Sequence, residues 1–310
     1  MNDIQPNTQT KLYGLDKYLK ELINLFDKKK LPNKILFSGQ KGLGKSTLAY
    51  HLINYVLSKN EKFPYKVSNL EINTENSSFK TVINKSNPNL ISIDINSEKK
   101  FIEINQIREL IITLNKYSFN NKPRFVLIDN IEFLNVNSIN ALLKILEEPS
   151  FNVNFILINN NKNILSTLTS RCLEFKISLT NRESLKITSQ LLDCNLDEIM
   201  SKDLVNYYFT PGNIYYLIKF AKINDYDLKL LNLENFLKIL IQNNHYKKDK
   251  LIKYLIYDFI EFYFRKFDIF SSDNLFDKYN YFLKKISDTK KYNLDDESLF
   301  LEFEEKMLNG

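Results

Sequence analysis

An α/β domain followed by an all-α region is the fold this sequence predicts, on three observations. Residues 1–178 alternate short apolar runs with helical patterns, as the strands and crossover helices of a parallel sheet do. Beyond about residue 179 the strand-like runs stop and helical periodicity takes over. Finally, the first apolar run leads into a glycine-rich loop and then a helical pattern, the order that a phosphate-binding turn requires.

Taken in order, a helix is expected from Asp16 as its cap, with Leu19, Leu22, Ile23 and Phe26 on one face. Residues 35–38, 90–95, 124–128 and 154–158 read as buried strands, and 173–177 as a further one. Between them lie helical patterns at 45–57, 104–114 and 136–146. Residues 60–89 are rich in Ser, Asn and Lys without a period, so a variable insertion or loop is expected there. Helices at 181–192, 196–208 and 213–223, with turns at Asn195 and Pro211-Gly212, would form a small three-helix unit. Further helices at 233–241, 251–267 and 279–286 would form a separate bundle, giving domains at 1–178, 179–226 and 227–310. Tyr254, Tyr257, Phe259, Phe262, Tyr263 and Phe264 interleave with Lys and Arg, a pattern able to stack on bases. Their helical spacing favours a packing core instead.

Composition narrows the function. With 310 residues, 44% hydrophobic and 26% charged, the chain is long enough for two or three cores and too apolar for a disordered protein. No apolar run approaches the roughly 18 residues of a spanning helix, and Met1-Asn2-Asp3-Ile4 opens no export signal, so a cytoplasmic protein is expected. The two cysteines, Cys172 and Cys194, and the two histidines, His51 and His245, lack zinc-ligand spacing, so no zinc is expected and a metalloprotease is unsupported. A net charge of +6 permits nucleic-acid contact without requiring it.

The chemistry is carried by Gly39-Gln40-Lys41-Gly42-Leu43-Gly44-Lys45-Ser46, a full G-x-x-x-x-G-K-[ST] match that holds half of the six glycines. Such a loop aims backbone N–H groups and a helix N-terminus at phosphate oxygens. Gly39, Gly42, Gly44, Lys45, Ser46 and Thr47 are therefore the candidate nucleotide-binding residues, Lys45 for the β/γ-phosphates and Ser46 for Mg²⁺. Asp129, closing the run 124–128, supplies the second metal-organising carboxylate. In hydrolytic proteins of this pattern the next residue is usually Glu, which orients and activates water; here it is Asn130, whose carboxamide takes no proton. Glu132, two residues further on, is expected to point elsewhere.

The segment Asp129-Asn130-Ile131-Glu132-Phe133-Leu134 continues into Ser138-Ile139-Asn140-Ala141-Leu142-Leu143-Lys144-Ile145-Leu146-Glu147-Glu148-Pro149, and Ser170-Arg171-Cys172 follows. This series resembles the AAA+ subunits of DNA polymerase clamp loaders, with their N-A-L-L-K-x-L-E-E-P helix and S-R-C motif. Leu31-Pro32-Asn33 and residues 104–110 extend the resemblance, which covers about residues 12–178. It is closer to the delta-prime branch of that family than to the gamma/tau motor branch, because three motor features are missing. Asp129-Asn130 replaces Asp-Glu, residues 60–89 hold no cysteine-rich zinc module, and Gly212 in Phe209-Thr210-Pro211-Gly212 aligns with the sensor 2 arginine.

The resemblance implies a RecA-like AAA+ P-loop domain with a parallel sheet, a small helical lid and a C-terminal helical collar. It also implies ATP and Mg²⁺ as ligands. The implied role is within a DNA polymerase III assembly, without polymerase chemistry of its own: assisting ATP-driven loading of a sliding clamp onto primer-template DNA. The implied partners are gamma/tau and delta clamp-loader subunits in a heteropentamer, and the clamp itself. By position, Arg171 would be an arginine finger acting on a neighbour's ATP, while Asn159 and Asn160 are the sensor 1 candidates. An active AAA+ motor of gamma/tau type is the alternative. A nucleotide kinase shares the loop but not the 140–149 and 170–172 motifs.

Overall fold

The computed structural model describes residues 4–95, 99–116, 120–147, 152–205, 207–266 and 273–309. Within it the chain divides into two compact units, Met1–Asp193 with Phe209–Lys219, and Cys194–Tyr208 with Phe220–Gly310.

The first unit is built on five parallel strands: β1 (Lys34–Ser38), β2 (Leu90–Ile93), β3 (Arg124–Ile128), β4 (Val153–Asn159) and β5 (Leu173–Lys176). Their order is β2-β3-β4-β1-β5. Because successive strand residues face opposite ways, each apolar run serves both faces of the sheet. Ile35, Phe37, Phe125, Leu127, Ile156 and Ile158 enter one core with α1 (Asp16–Asp27) and α2 (Lys45–Ser58). Leu36, Val126, Ile128, Phe155 and Leu157 enter the other, with α4 (Ile104–Leu114) and α5 (Val136–Glu147). A sheet covered on both sides is the reason these strands read as unbroken apolar runs.

Local chemistry fixes the helix ends. Asp16 is not the cap of α1; Leu15 holds that position, and the Asp16 carboxylate lies in the first turn, where it meets the positive end of the helix dipole. Glu103 and Gln106 form a capping box at the start of α4, and Thr180 and Glu183 another at α7 (Asn181–Leu192). On α5, Leu142 and Leu146 are buried, with Ile139 and Leu143 half-buried beside them. Lys34 donates to the Leu146 carbonyl at 2.8 Å near the C-terminus of α5. Glu148 and Pro149, the last residues of the N-A-L-L-K-x-L-E-E-P motif, lie outside the described residues.

Residues 60–89 are more ordered than their composition predicts. Lys66 and Glu71 form an antiparallel bridge, and α3 (Ser77–Ile83) is capped by Asn76, which accepts from the Phe79 amide at 2.6 Å. Tyr65, Leu70, Ile72 and Phe79 are all buried in the α2 core. Tyr65, Leu70 and Ile72 enter it from non-helical chain and Phe79 from the short α3, which is why no single period marks them. Asn54 and Asn76 exchange amide hydrogen bonds at 3.3 and 3.1 Å beneath this layer. His51, fully buried on α2, bonds the Tyr65 hydroxyl at 2.8 Å and the Gln9 carbonyl at 3.1 Å.

In the second unit the expected helix 196–208 is two single turns, α8 (Leu196–Ile199) and α9 (Lys202–Val205). Buried Met200 is extended between them, and the Ser201 amide leaves the helix path to bond the Leu228 carbonyl at 2.9 Å. The remaining helices are α11 (Leu233–Gln242), α12 (His245–Lys248), α13 (Lys250–Arg265), α14 (Asp273–Tyr292) and α15 (Asp296–Phe303). Of these, α14 is longer than its apolar pattern and α15 has no counterpart in the expectation. Tyr257, Tyr263 and Phe264 are buried against Phe282, Phe300 and Phe303, and Phe259 is buried against Phe236, so the aromatic run is a core. Tyr254 stays exposed, and the tilted rings of Phe262 and Tyr207 pack with centroids 4.7 Å apart. Among the described residues no helix is long and apolar enough to cross a membrane.

Candidate nucleotide site

The C-terminal ends of β1, β3 and β4 converge on the glycine-rich loop, at the edge where open α/β sheets bind ligands. Gly39, Gly42 and Gly44 all take positive φ, so the loop turns back on itself before α2 starts at Lys45. That conformation suits glycine because it has no Cβ to collide with the backbone. At Gly42 the surroundings demand it as well: a Cβ there would lie 2.4 Å from the Thr210 hydroxyl and 3.2 Å from Gly212 Cα. Gly212 opens α10 (Pro211–Ile223); its amide donates to the Gly42 carbonyl at 2.9 Å, and Thr210 Oγ1 donates to the Lys41 carbonyl at 2.9 Å.

Lys45 is almost wholly buried, and its Nζ donates to the carbonyls of Gly39 at 2.9 Å and Gln40 at 2.6 Å. Burial pulls its pKa down to about 8, opposed by the nearby charges of Asp129 and Glu132. Thr47 lies half-buried in the first turn of α2. Ser46 donates its hydroxyl to Asp129 Oδ2, and the Asn130 amide donates to Oδ1 at 2.8 Å. Burial pushes the Asp129 carboxyl above its usual range, against these hydrogen bonds. A hydroxyl and a carboxylate meeting at the start of α2 are the hard oxygen donors that suit Mg²⁺, whose other positions phosphate and water fill. Among the described residues no three or more His, Cys, Asp or Glu are placed to hold a metal by themselves.

Glu132 does not point away. Asn130 is left-handed (φ 56, ψ 46), and the following 3₁₀ turn, Ile131–Phe133, brings the Glu132 carboxylate back to the end of β4. There it accepts from Asn160 Nδ2 at 3.0 Å and from the Asn160 amide at 3.3 Å. Asn160 Nδ2 also donates to Asn130 Oδ1 at 2.7 Å, and Asn130 Nδ2 donates to Asp94 Oδ1 at 2.6 Å. Four side chains thus run across the ends of three strands: Asp94, Asn130, Asn160 and Glu132.

Of the two sensor 1 candidates, only Asn160 joins this network. The Asn159 side chain is used locally, donating to the Lys162 carbonyl at 2.9 Å and accepting from the Lys162 amide at 3.3 Å. Asp94 was missed by sequence reasoning, though a signal existed: Ile91-Ser92-Ile93-Asp94 ends in Asp as Val126-Leu127-Ile128-Asp129 does. The two runs pair in register, which sets Asp94 beside Asp129.

Arg171 follows α6 (Ser166–Thr169), away from this network in sequence and in bonding. Its NH1 donates to the Thr167 carbonyl at 2.7 Å and its NH2 to Glu147 Oε1 at 2.5 Å, with a third of its side chain exposed. The neighbouring Cys172 is half-buried, and burial pushes its thiol up to about 11.

A parallel sheet of this order, with a phosphate loop after β1 and a carboxylate after β3, defines an AAA+ P-loop ATPase-type domain. Residues 14–181 match the family described as "DNA polymerase III, delta subunit", and the chain belongs to that family, within the AAA+ clamp-loader proteins. Among its relatives are two proteins of Buchnera aphidicola subsp. Schizaphis graminum. DNA polymerase III subunit gamma is 31% identical over 188 residues, covering 58% of this chain and 48% of that one. DNA polymerase III subunit delta' is 30% identical over 173 residues, covering 55% and 51%. The subunit gamma/tau of Mycoplasma genitalium is 30% identical over 193 residues, covering 62% and 30%. The chain thus aligns with about half or less of each relative's length. Among solved structures, a gamma subunit-related protein of Thermotoga maritima overlays with a TM-score of 0.43 at 20% identity, over 84% of this chain and 77% of that one.

Proposed function

We propose that this chain is a delta-prime-type clamp-loader subunit, which binds ATP with Mg²⁺, hydrolyses little of it, and lends Arg171 to the ATP site of a neighbouring gamma/tau subunit. Residues 1–178 serve as the ATPase-type domain, 179–226 as a lid and 227–310 as the collar through which a gamma/tau, delta and delta-prime pentamer assembles. The work of that assembly is to open a sliding clamp and place it on primer-template DNA.

One observation carries the reading: Asn130 occupies the position of the water-activating acid, and both polar atoms of its side chain are engaged, by Asp94 and by Asn160. An amide held this way orients water at best and accepts no proton from it. Binding needs less. Loop amides, the start of α2, Lys45, Ser46 and Asp129 supply cation and donors for a triphosphate. On binding, Lys45 exchanges its two carbonyl partners for phosphate oxygens, and Mg²⁺ there supplies charge neutralisation. In trans, the Arg171 guanidinium stays charged and offers a planar fork of donors to a transferring phosphoryl group.

A second reading, an active motor of gamma/tau type, is favoured by Glu132, a carboxylate near Lys45 that sequence reasoning had turned away. ATP turnover by the purified chain decides between them. Little or no turnover with measurable ATP binding supports the helper; motor-like turnover, abolished by Lys45→Ala, would establish the motor instead.

A further inference from the structure

Glu147 is the last residue of α5, where the negative end of the helix dipole disfavours an acid. Its carboxylate turns to Arg171 and accepts from NH2 at 2.5 Å. Both side chains stand on fixed ground. Leu142 and Leu146 anchor α5 in the core, and Lys34 of β1 holds the Leu146 carbonyl at 2.8 Å. On the other side Leu168 is buried, and the amides of Ser170, Arg171 and Cys172 bond the carbonyls of Ser166, Leu168 and Thr169, a tight turn that leads into β5. Arg171 NH1 donates to the Thr167 carbonyl at 2.7 Å. The guanidinium is thus held at two nitrogens by two elements, α5 and α6, while a third of the side chain faces solvent. An ion pair this exposed adds little to folding, so stability does not account for an acid at this helix end.

We propose that Glu147 is the positioning residue of the arginine this chain offers to a neighbouring ATP: it fixes the guanidinium, already in the free subunit, in the plane and direction that docking uses. The inference rests on the proposed reading that Arg171 acts in trans. A guanidinium carries five N–H donors in a rigid fork. The two contacts engage one on NH1 and one on NH2, which leaves three to meet phosphoryl oxygens with neither contact released. Arginine is among the side chains that lose most rotamer freedom when immobilised. Held by Glu147 beforehand, it gives up less of that freedom in the transition state on the neighbour, so the effect falls on the rate and not on ATP affinity.

The test builds wild type, Glu147→Ala, Glu147→Gln, Arg171→Ala and the Glu147→Ala, Arg171→Ala double variant into clamp loaders reconstituted with gamma/tau and delta subunits. DNA-stimulated ATP turnover is read on purified complexes of equal stoichiometry. In Glu147→Ala the ATP site that receives Arg171 is expected to slow about three- to tenfold, the range for immobilising one rotamer-rich side chain. The complex then loses about two-thirds to nine-tenths of the turnover that Arg171→Ala removes, with the KM for ATP within about twofold of wild type. Glu147→Gln keeps an acceptor oxygen at the same reach and should recover at least about half of that loss. The double variant should match Arg171→Ala, because Glu147 then has no guanidinium to hold. Glu147→Ala at wild-type turnover or above, or a double variant slower than Arg171→Ala, would overturn the positioning role and leave the proposed function standing. Full turnover with Arg171→Ala would overturn the proposed function and this inference with it. The isolated chain gives a second measurement. Its Arg171 side-chain N–H resonances, followed by NMR, should move toward those of a free arginine in Glu147→Ala; identical resonances in the two proteins would refute the contact.

Discussion

The Gly212 amide donates to the Gly42 carbonyl at 2.9 Å, and a Cβ on Gly212 would lie 2.7 Å from Gly42 Cα and 3.1 Å from its oxygen. Two glycines in direct backbone contact join the phosphate loop to the first turn of α10. Position 212 is where the family resemblance puts a motor's sensor arginine, and here that position has no room for any side chain. Gly212→Ala is expected to push the two backbones apart and destabilise the chain by about 1–3 kcal/mol, the range for overpacking, read as a lower urea midpoint. Gly212→Arg should destabilise at least as much and gain no ATP turnover. A Gly212→Arg chain as stable as wild type would show that the contact is loose.

His51 predicts a specific pH dependence. Burial holds its imidazole down to about 4, from an ordinary 6.5, and the hydrogen bond to the Gln9 carbonyl opposes this only in part. The unfolded chain takes up a proton below about 6.5 that the folded chain refuses until about 4, so folding stability falls as pH falls through that window. At about 1.4 kcal/mol per pH unit the loss amounts to about 3 kcal/mol. His51→Gln removes the titrating group. Its stability should therefore decline less between pH 6.5 and 4 than that of wild type, by about that amount, in urea titrations at each pH. Parallel pH profiles for the two proteins would rule out a buried neutral His51.

Asn76 does two things at once: it caps α3 through the Phe79 amide, and it exchanges amide bonds with buried Asn54. Asn76→Ala removes a cap, about 1 kcal/mol, and leaves a buried amide short of partners, a further 1–3 kcal/mol. A total loss of about 2–4 kcal/mol is expected by chemical denaturation. Asn76→Ser, which keeps a capping oxygen, should lose less. Equal losses in both variants would mean the cap contributes nothing and the Asn54 pair carries the effect.

These residues also mark where the sequence was legible. The strands were, because Ile35, Phe37, Val126, Leu127, Phe155 and Leu157 are buried on both faces of the sheet and leave apolar runs. The loop from Gly39 to Ser46 was, because its glycines and Lys45 answer a local geometric demand. Residues 60–89 were not: Tyr65, Leu70 and Ile72 reach the core from irregular chain and Phe79 from a two-turn helix, so no single period forms. Helix 196–208 failed because a tertiary bond, Ser201 to Leu228, outcompetes helical continuation. Glu132 was misread because its direction depends on one left-handed residue, Asn130, which alternation rules do not anticipate. Asp94 meets Asn130, and Gly212 meets Gly42, across long stretches of sequence, so these contacts needed the sheet register and the loop geometry.

Arg171 supports the last prediction. Its guanidinium is pinned by the Thr167 carbonyl and Glu147, yet a third of the side chain faces solvent. A pair this exposed is worth about 1 kcal/mol or less to folding, so Arg171→Ala should leave the melting temperature of the isolated chain nearly unchanged. In a reconstituted clamp loader, the ATP site that receives this residue should slow by about 10³-fold or more, the contribution of an arginine finger. The total rate should fall by that site's share. Arg171→Lys keeps the charge but not the planar fork, and should rescue little. The DNA-stimulated ATPase of complexes assembled with each variant measures all three outcomes. Full activity with Arg171→Ala would confine the residue to its local bond with Glu147.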